Sequence, residues 1–393
     1  MKRLLFGLLS IYKRLTSLSL RLRGKTRAES AAARVRSGRT WDEFCDALKA
    51  AGASLTLPGA PRDAASQAEG YRYLTRLLRG GLEAFLEHGD PVRPELRRTV
   101  SETIKIGADN PDNAYYNAAV SGAYRYLISG TRGTVKRLSF HMQRGSYGSS
   151  GGLQPAGKLE AADLVTDGNG RFEIHASVAR PPEAVNWLPM TSDTTLFMVR
   201  QTFGDRFVET EAEVSIRCLD NVEPRRLTPE VLDTALTQTA AFVAGTSAIF
   251  SRWAVGFKKH PNTLPRFSDA VSTAAGGDPR IAYYHSYWRL AEDEALVIHT
   301  PVPDCEYWNF QVNNIWMESL DYRYNRIHIN GENAELNSDG TVTIVVSQRD
   351  PGVPNHLTTD GRRFGTMCFR WVGAQDPIEP ETRVVKVDSL GRG

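Results

Sequence analysis

The chain has 393 residues, 41% of them hydrophobic and 24% charged, which are ordinary values for a soluble globular protein of one large or two ordinary domains. Eleven of the 48 Lys/Arg but only one of the 45 Asp/Glu fall in residues 1–40, so the rest holds 37 basic and 44 acidic residues, a net of −7 within an overall +3. A mildly acidic body excludes a nucleic-acid footprint over the whole domain and confines the basic character to an N-terminal arm.

That arm, residues 1–39, begins MKRLLFGLLSIYKRLTSLSLRLRGK. Its longest uncharged run, Leu4 to Tyr12, is too short for a bilayer, which needs about 20 residues. Leucines at 15, 18, 20 and 22 alternate with basic residues, which suits an amphipathic helix lying on an anionic membrane surface through residues 1–25. A basic tail, a start codon placed upstream of the real domain, and a cleaved targeting segment are the alternatives. The last is disfavoured by Lys13 and Arg14 directly after the apolar run and by the lack of a small-x-small cleavage site. Cys45, Cys218, Cys305 and Cys368 form no CxxC pair, so a reducing compartment is expected: a cytoplasmic protein, peripheral to a membrane.

Residues 40–100 read as a helical layer. RTWDEFCDALKAAG spaces Trp41, Phe44, Cys45 and Leu48 helically behind Thr40 as cap. The next helix carries Tyr71, Leu74, Leu77 and Leu78 on one face, and Gly80–Gly81 is expected to interrupt it. Residues 101–227 change period to two. Strands are expected at 123–128, 134–142, in GRFEIHASV, in TTLFMVRQTF, and from 208 to 217, where alternation is longest. Residues 228–260 are one long helix, capped by Thr228 with Pro229 in its first turn. Residues 261–393 return to short strands punctuated by Asn-Gly and Asp-Gly turns. The fold class is therefore α+β, mainly β: a jelly-roll-like antiparallel sandwich with an N-terminal helical layer and an inserted long helix.

The run YWNFQVNNIW, read as a strand over 307–316, points Trp308, Phe310, Val312, Asn314 and Trp316 one way and Tyr307, Asn309, Gln311, Asn313 and Ile315 the other. The first set belongs in a core. The second is a row of neutral amides, suited either to an inter-strand hydrogen-bond network or to a polar neutral ligand. A second cluster, YYHSYW (283–288), alternates aromatics onto both faces of its strand. The longer run YWNFQVNNIWMESLDYRYNRIHIN (307–330), with the segment from Asp339 to Trp371, resembles the family catalogued as domain of unknown function 1214. NPDNAYYNAAVSGAYRYLISGTRG, NWLP and MVRQTFGD resemble the wider group that includes the 1254-type domain. The resemblance spans about residues 110–371. It implies a C-terminal jelly-roll-like sandwich with helices beside it and no established chemistry. Where the family commonly reads DPGxPNWLDT, this chain reads DPGVPNHLTT, so His356 and Thr358 depart from the pattern.

Three functional readings follow. The first is a pocket for a neutral amphipathic or carbohydrate-like molecule, lined by Tyr307, Asn309, Gln311, Asn313, Tyr283, His285, Tyr287 and Arg370. The second is a hydrolase or lyase built on the 350–360 loop, with His356 as base beside Asp350 or Asp360 and Arg370 steadying an anion. Turn chemistry with a solvated, exposed His356 is the plain alternative to that loop's role. The third is a non-catalytic protein-interaction sandwich. Arg200 is expected to pair with Asp205 or Glu209, or else to clamp an anion. His141, His175, His285, His299 and His328 sit in strand-like runs without HxH or HExxH spacing. No metal and no cofactor is expected. The glycine-rich HMQRGSYGSSGG lacks the P-loop pattern and reads as a lid or surface loop.

Overall fold

The computed structural model describes residues 26–145 and 152–391. Residues 1–25, on which the membrane-surface reading rests, and 146–151 of the glycine-rich stretch lie outside them.

Three helices open the described chain: α1 Arg27–Arg36, α2 Arg39–Ala51 and α3 Ala64–Leu82. Residues 27–36, counted above with the basic arm, join the helical layer. A Thr26–Glu29 capping box starts α1. Its Arg34 bridges Glu43 of α2 (2.8 Å) and Asp233 (3.0 Å) of the long helix α4, Pro229–Phe257. Thr40 does not cap α2. Gly38 holds that position, and Thr40 is buried with its hydroxyl donating to Asp233 (2.6 Å). Gly80–Gly81 does not break α3 either: a Cβ on Gly81 would meet Thr239 of α4 at 3.0 Å, so the pair admits close helix–helix contact. The helix ends in a π turn, Glu83–Glu87. Among the described residues one helix, α4, is long and apolar enough to cross a membrane. Here it packs on α1, α2, α3 and a sheet.

Nine strands follow the layer: β1 Arg97–Val100, β2 Asn113–Ala119, β3 Tyr126–Thr131, β4 Arg137–Gly145, β5 Leu153–Glu160, β6 Arg171–Ser177, β7 Asn186–Pro189, β8 Thr194–Thr202 and β9 Glu213–Cys218. They form two sheets, ordered β1-β2-β8-β4-β5 and β7-β6-β3-β9. Between them Phe140 meets Phe172 edge-on at 5.5 Å and stacks on Phe197 at 6.4 Å. The first β-rich region is thus a sandwich of its own. The expected strand over 208–217 shrinks to β9. Asp205 takes the N–H groups of Phe207 and Glu209 into a turn, leaving Phe207 and Val208 exposed.

After the short α5, Asp269–Ala274, come β10 Ile281–Arg289, β11 Glu294–Pro301, β12 Tyr307–Asn313, β13 His328–Asn330, β14 Thr341–Ser347, β15 His356–Thr358, β16 Phe364–Val372 and β17 Glu381–Lys386. Their sheets are β10-β16-β12-β13 and β15-β14-β11-β17. Trp308, Phe310, Phe369 and Trp371 fill the space between them; Phe369 and Trp371 lie 4.5 Å apart, Trp308 and Phe369 5.6 Å. The other face of the β10-β16-β12 sheet is buried too, under α3 and α4. Double burial explains aromatics on both faces of YYHSYW.

Strand β12 ends at Asn313, three residues before the expected 316. Asn314 turns the chain by accepting the N–H groups of Trp316 (2.9 Å) and Glu318 (3.1 Å). Ile315 and Trp316 then reach the helical layer, where the Trp316 indole donates to the Ser66 carbonyl (2.7 Å).

Candidate functional site

The layer-facing side of the β10-β16-β12 sheet is written in cross-strand rows. Tyr283, Arg370 and Asn309 form one; His285, Cys368 and Gln311 the next; Tyr287, Thr366 and Asn313 the third. Tyr307, Asn309, Gln311 and Asn313 therefore share a face, as alternation requires. That face meets residues 108–113 of the segment entering the first sandwich.

Asn309 and Gln311 are consumed by the protein, whereas Asn313 accepts from Gln311 and its buried Nδ2 has no partner. Asn309 accepts from Arg370 Nη1 (3.2 Å) and donates to Asn110 (3.0 Å). Gln311 accepts from the same Nη1 (2.6 Å) and donates to the Asp109 carbonyl (2.9 Å) and to Asn313. Arg370 Nη2 donates to the Ala108 carbonyl. Ala108 sits in the left-handed region (φ 59°) and its N–H reaches Met317 O at 2.6 Å. Tyr307 donates to Asp112 (2.6 Å) and accepts from Asn110 (3.1 Å). His328 Nε2 completes the set, 3.0 Å from the other Asp112 oxygen. Burial works to raise the Asp112 carboxyl, but the His328 charge and the hydrogen bonds from His328 and Tyr307 outweigh it and hold the carboxyl below its usual range.

Beside this network lies a cavity of about 740 Å³. The helical layer contributes Phe85, Phe242, Phe250 and Trp253; the first sandwich contributes Tyr115, Met198 and Arg200; the second contributes Tyr283, His285, Tyr307 and Arg370. Of the expected ligand residues, these last four line the cavity. Asn309, Gln311 and Asn313 are fully buried behind it, and Tyr287 lies outside it against Phe364, because the carboxamide row faces the 108–113 segment and not open space.

Arg200 does not meet Asp205 or Glu209. Its partner is Asp278, 3.3 Å away in the loop before β10, and its Nε has no hydrogen-bond partner. Asp205 and Glu209 are taken up by backbone N–H groups of their own turn. Burial works against the Asp278 carboxylate, but Arg200 holds its pKa down. His285 stacks between Tyr283 (5.4 Å) and Phe257 (5.8 Å), with Nδ1 unpartnered. Burial, aided by the Arg370 charge, pushes its pKa down to about 3, so the imidazole is neutral. Burial pushes the Cys368 thiol, 3.9 Å from His285 Nε2, up to about 11; this is a packed thiol and not an activated nucleophile.

The 350–360 residues do not converge on the cavity. His356 is not exposed: it lies in β15, parallel to β14, 9% exposed, with Nε2 at 3.2 Å from the Ser347 carbonyl. Asp350 stands 3.5 Å from His356 Nδ1 and caps its own turn through Gly352 N–H (2.8 Å). Asp360 pairs with Arg362 (2.6 Å). None of the three lines the cavity, whereas Arg370 does. His299 is held by its cross-strand neighbour Thr343 within the β15-β14-β11-β17 sheet, and among the described residues no three His, Cys, Asp or Glu side chains gather as metal donors. Sequence reasoning gave no role to Asn110, Asp112, Tyr115 or Asp278. The Asn/Asp/Pro cluster NPDN directly ahead of the aromatic strand AYY was the available signal for the first three.

Fold and site together define a protein of two β-sandwiches under a helical cover, with a mixed aromatic and cationic cavity where the three meet. The chain belongs to the family described as protein of unknown function (DUF1214), whose model matches residues 288–376. A solved structure of an uncharacterized protein from Burkholderia cenocepacia is 46% identical, covers 91% of this chain and 100% of its own, and superposes with a TM-score of 0.88. The VPA0106 protein from Vibrio parahaemolyticus is 14% identical, covers 80% of this chain and 98% of its own, with a TM-score of 0.48. No curated protein matches.

Proposed function

We propose that the protein binds a small amphipathic molecule in the cavity between the two sandwiches and the helical cover. The observation that carries this is convergence: about 740 Å³ of space receives aromatic side chains from one layer and polar ones from two others. Ligand pockets have that make-up, a mainly apolar wall with a few polar groups placed from separate elements, at volumes of roughly 300–1,000 Å³. A carbohydrate is the weaker ligand class, because Asn309 and Gln311 are already paired and Asn313, whose Nδ2 has no partner, is buried behind the cavity. The acid/base loop finds no support in the geometry, since His356, Asp350 and Asp360 stand away from the cavity. Residues 1–25, on their charge and leucine pattern, would hold the protein at an anionic membrane surface, where amphipathic molecules partition.

A thermal-shift screen of isoprenoids, sterols, alkyl and aryl amphiphiles and oligosaccharides against the full chain tests the pocket. Amphiphiles should raise Tm in proportion to their occupancy, and a Phe250→Arg variant that stays folded should abolish the shift. A shift from oligosaccharides alone would sink the reading. Co-sedimentation with anionic vesicles, with and without residues 1–25, tests the arm; equal sedimentation refutes it.

A further inference from the structure

The polar end of the cavity carries more positive charge than the protein neutralises. Arg370 is 5% exposed, and its three hydrogen bonds all go to neutral oxygens, those of Asn309, Gln311 and Ala108. It makes no ion pair among the described residues, and two of its five N–H donors are left over. Arg200 is equally enclosed. Its one carboxylate, Asp278, is shared with Lys158 at 3.6 Å, and its Nε is unpartnered. The two arginines sit in matching settings on central strands of the two sheets. Tyr115 is the cross-strand neighbour of Arg200, Tyr283 that of Arg370, and each guanidinium lies 5.8 Å from its tyrosine's ring centre. Both tyrosines lie within reach of both charges. Beside them the enclosed, neutral His285 keeps its own Nδ1 free.

A buried cation without a counter-charge is expensive, and a guanidinium whose remaining donors face a cavity fits a carboxylate's two oxygens. We infer that the cavity's ligand is a carboxylate-headed amphiphile, its carboxylate seated between Arg370 and Arg200 and its apolar part along Phe242, Phe250 and Trp253. This deepens the pocket reading above and rests on it. It replaces the neutral ligand expected from the amide row with an anionic one, because those amides turn out to position the arginine.

The test is calorimetric titration of the full chain with matched sets that differ only in head group: decanoate, decan-1-ol and decylamine, then 4-phenylbutyrate, 4-phenylbutan-1-ol and 4-phenylbutylamine. The carboxylate of at least one set should bind tenfold or more tighter than its alcohol. The amine of that set should bind weakest. In Arg370→Gln, shown folded by circular dichroism, the carboxylate's advantage should fall below threefold. If that variant does not fold, the wild-type head-group comparison decides alone. If in both sets the alcohol binds within tenfold of its carboxylate, or the amine binds tightest, the anionic head is overturned while the pocket stands. Failure of all six to bind overturns the pocket reading, and this inference with it.

Discussion

At the scale of single residues, the enclosed His285 and the half-buried His141 make stability depend on pH with a definite sign. His285, and His141 of β4, are held neutral by burial with their pKa pushed down to about 3, His141 also by the Arg200 charge. Unfolded, each takes a proton near its ordinary value of 6.5. Between about 6.5 and 3 the unfolded state therefore binds more protons, so stability is full above pH 6.5 and falls as the pH drops. Well below 6.5 the loss approaches about 1.4 kcal/mol per pH unit for each histidine. His285→Phe, which keeps the stack on Tyr283 and Phe257, should shed its part of the slope between pH 6.5 and 4.5 in a denaturant series. In the wild type the ring resonances of both histidines should not titrate above pH 5. Tyr307 offers a second check at this scale. Tyr307→Phe removes the hydrogen bond to Asp112 and leaves a buried carboxylate oxygen short of a partner, which should cost about 1.5–3 kcal/mol in urea. The row to which Tyr307 belongs was legible in the sequence, because alternation fixes which side chains share a face. What the row touches was not: Asn309 meets Asn110, 199 positions away, and Arg200 meets Asp278, 78 away.

At the scale of elements, close approach sets the geometry of the cover. The α3 backbone crosses the Trp316 ring at Gly70, where a Cβ would meet the indole at 2.9 Å and Leu55 at 3.0 Å. Trp316 is itself fixed by its bond to Ser66, so it cannot step aside. Gly70→Ala should therefore destabilise the fold by about 1–3 kcal/mol despite alanine's higher helix propensity, a sign readable by thermal melting. Helices α3 and α4 and most strands of the second sandwich were legible because their apolar periods are long, and Thr228 caps α4 as its sequence predicts; α1 was counted with the arm, and α2 starts at Gly38, which offers no side-chain cap. Strand β2, seven residues without proline, escaped because NAYYNAA carries no strict alternation of apolar and polar residues; most of the other strands that escaped are short or bear proline. Strand β5 contains Pro155 at a sheet edge, β7 is four residues ending in Pro189, and β15 is three residues that looked like turn chemistry. The long alternation at 208–217 misled for the opposite reason, since Asp205 draws the chain into a turn that pattern alone does not weigh.

At the scale of the whole molecule, the β10-β16-β12 sheet is the shared wall of two cores. The segment that matches the family model, 288–376, holds only the last two residues of β10 and none of the helical cover. Expressed alone it would expose Cys368, Tyr307 and Ile315 on one face and an unpaired edge of β16. Such a fragment should elute as aggregate and melt without a cooperative transition, while residues 26–391 should elute as a single compact species. A monodisperse, cooperative fragment would show that the sheet does not need its cover. The same shared wall imposes an order of events on synthesis. Helix α4, 29 residues whose most apolar 18-residue stretch has a mean hydropathy of 1.2, leaves the ribosome before β10, β12 and β16 exist to receive Phe250 and Phe257. Until about another hundred residues have been translated, at roughly 5–20 per second, its apolar stripe has only the earlier helices to lean on, and a holding chaperone has a window of several seconds in which to find it.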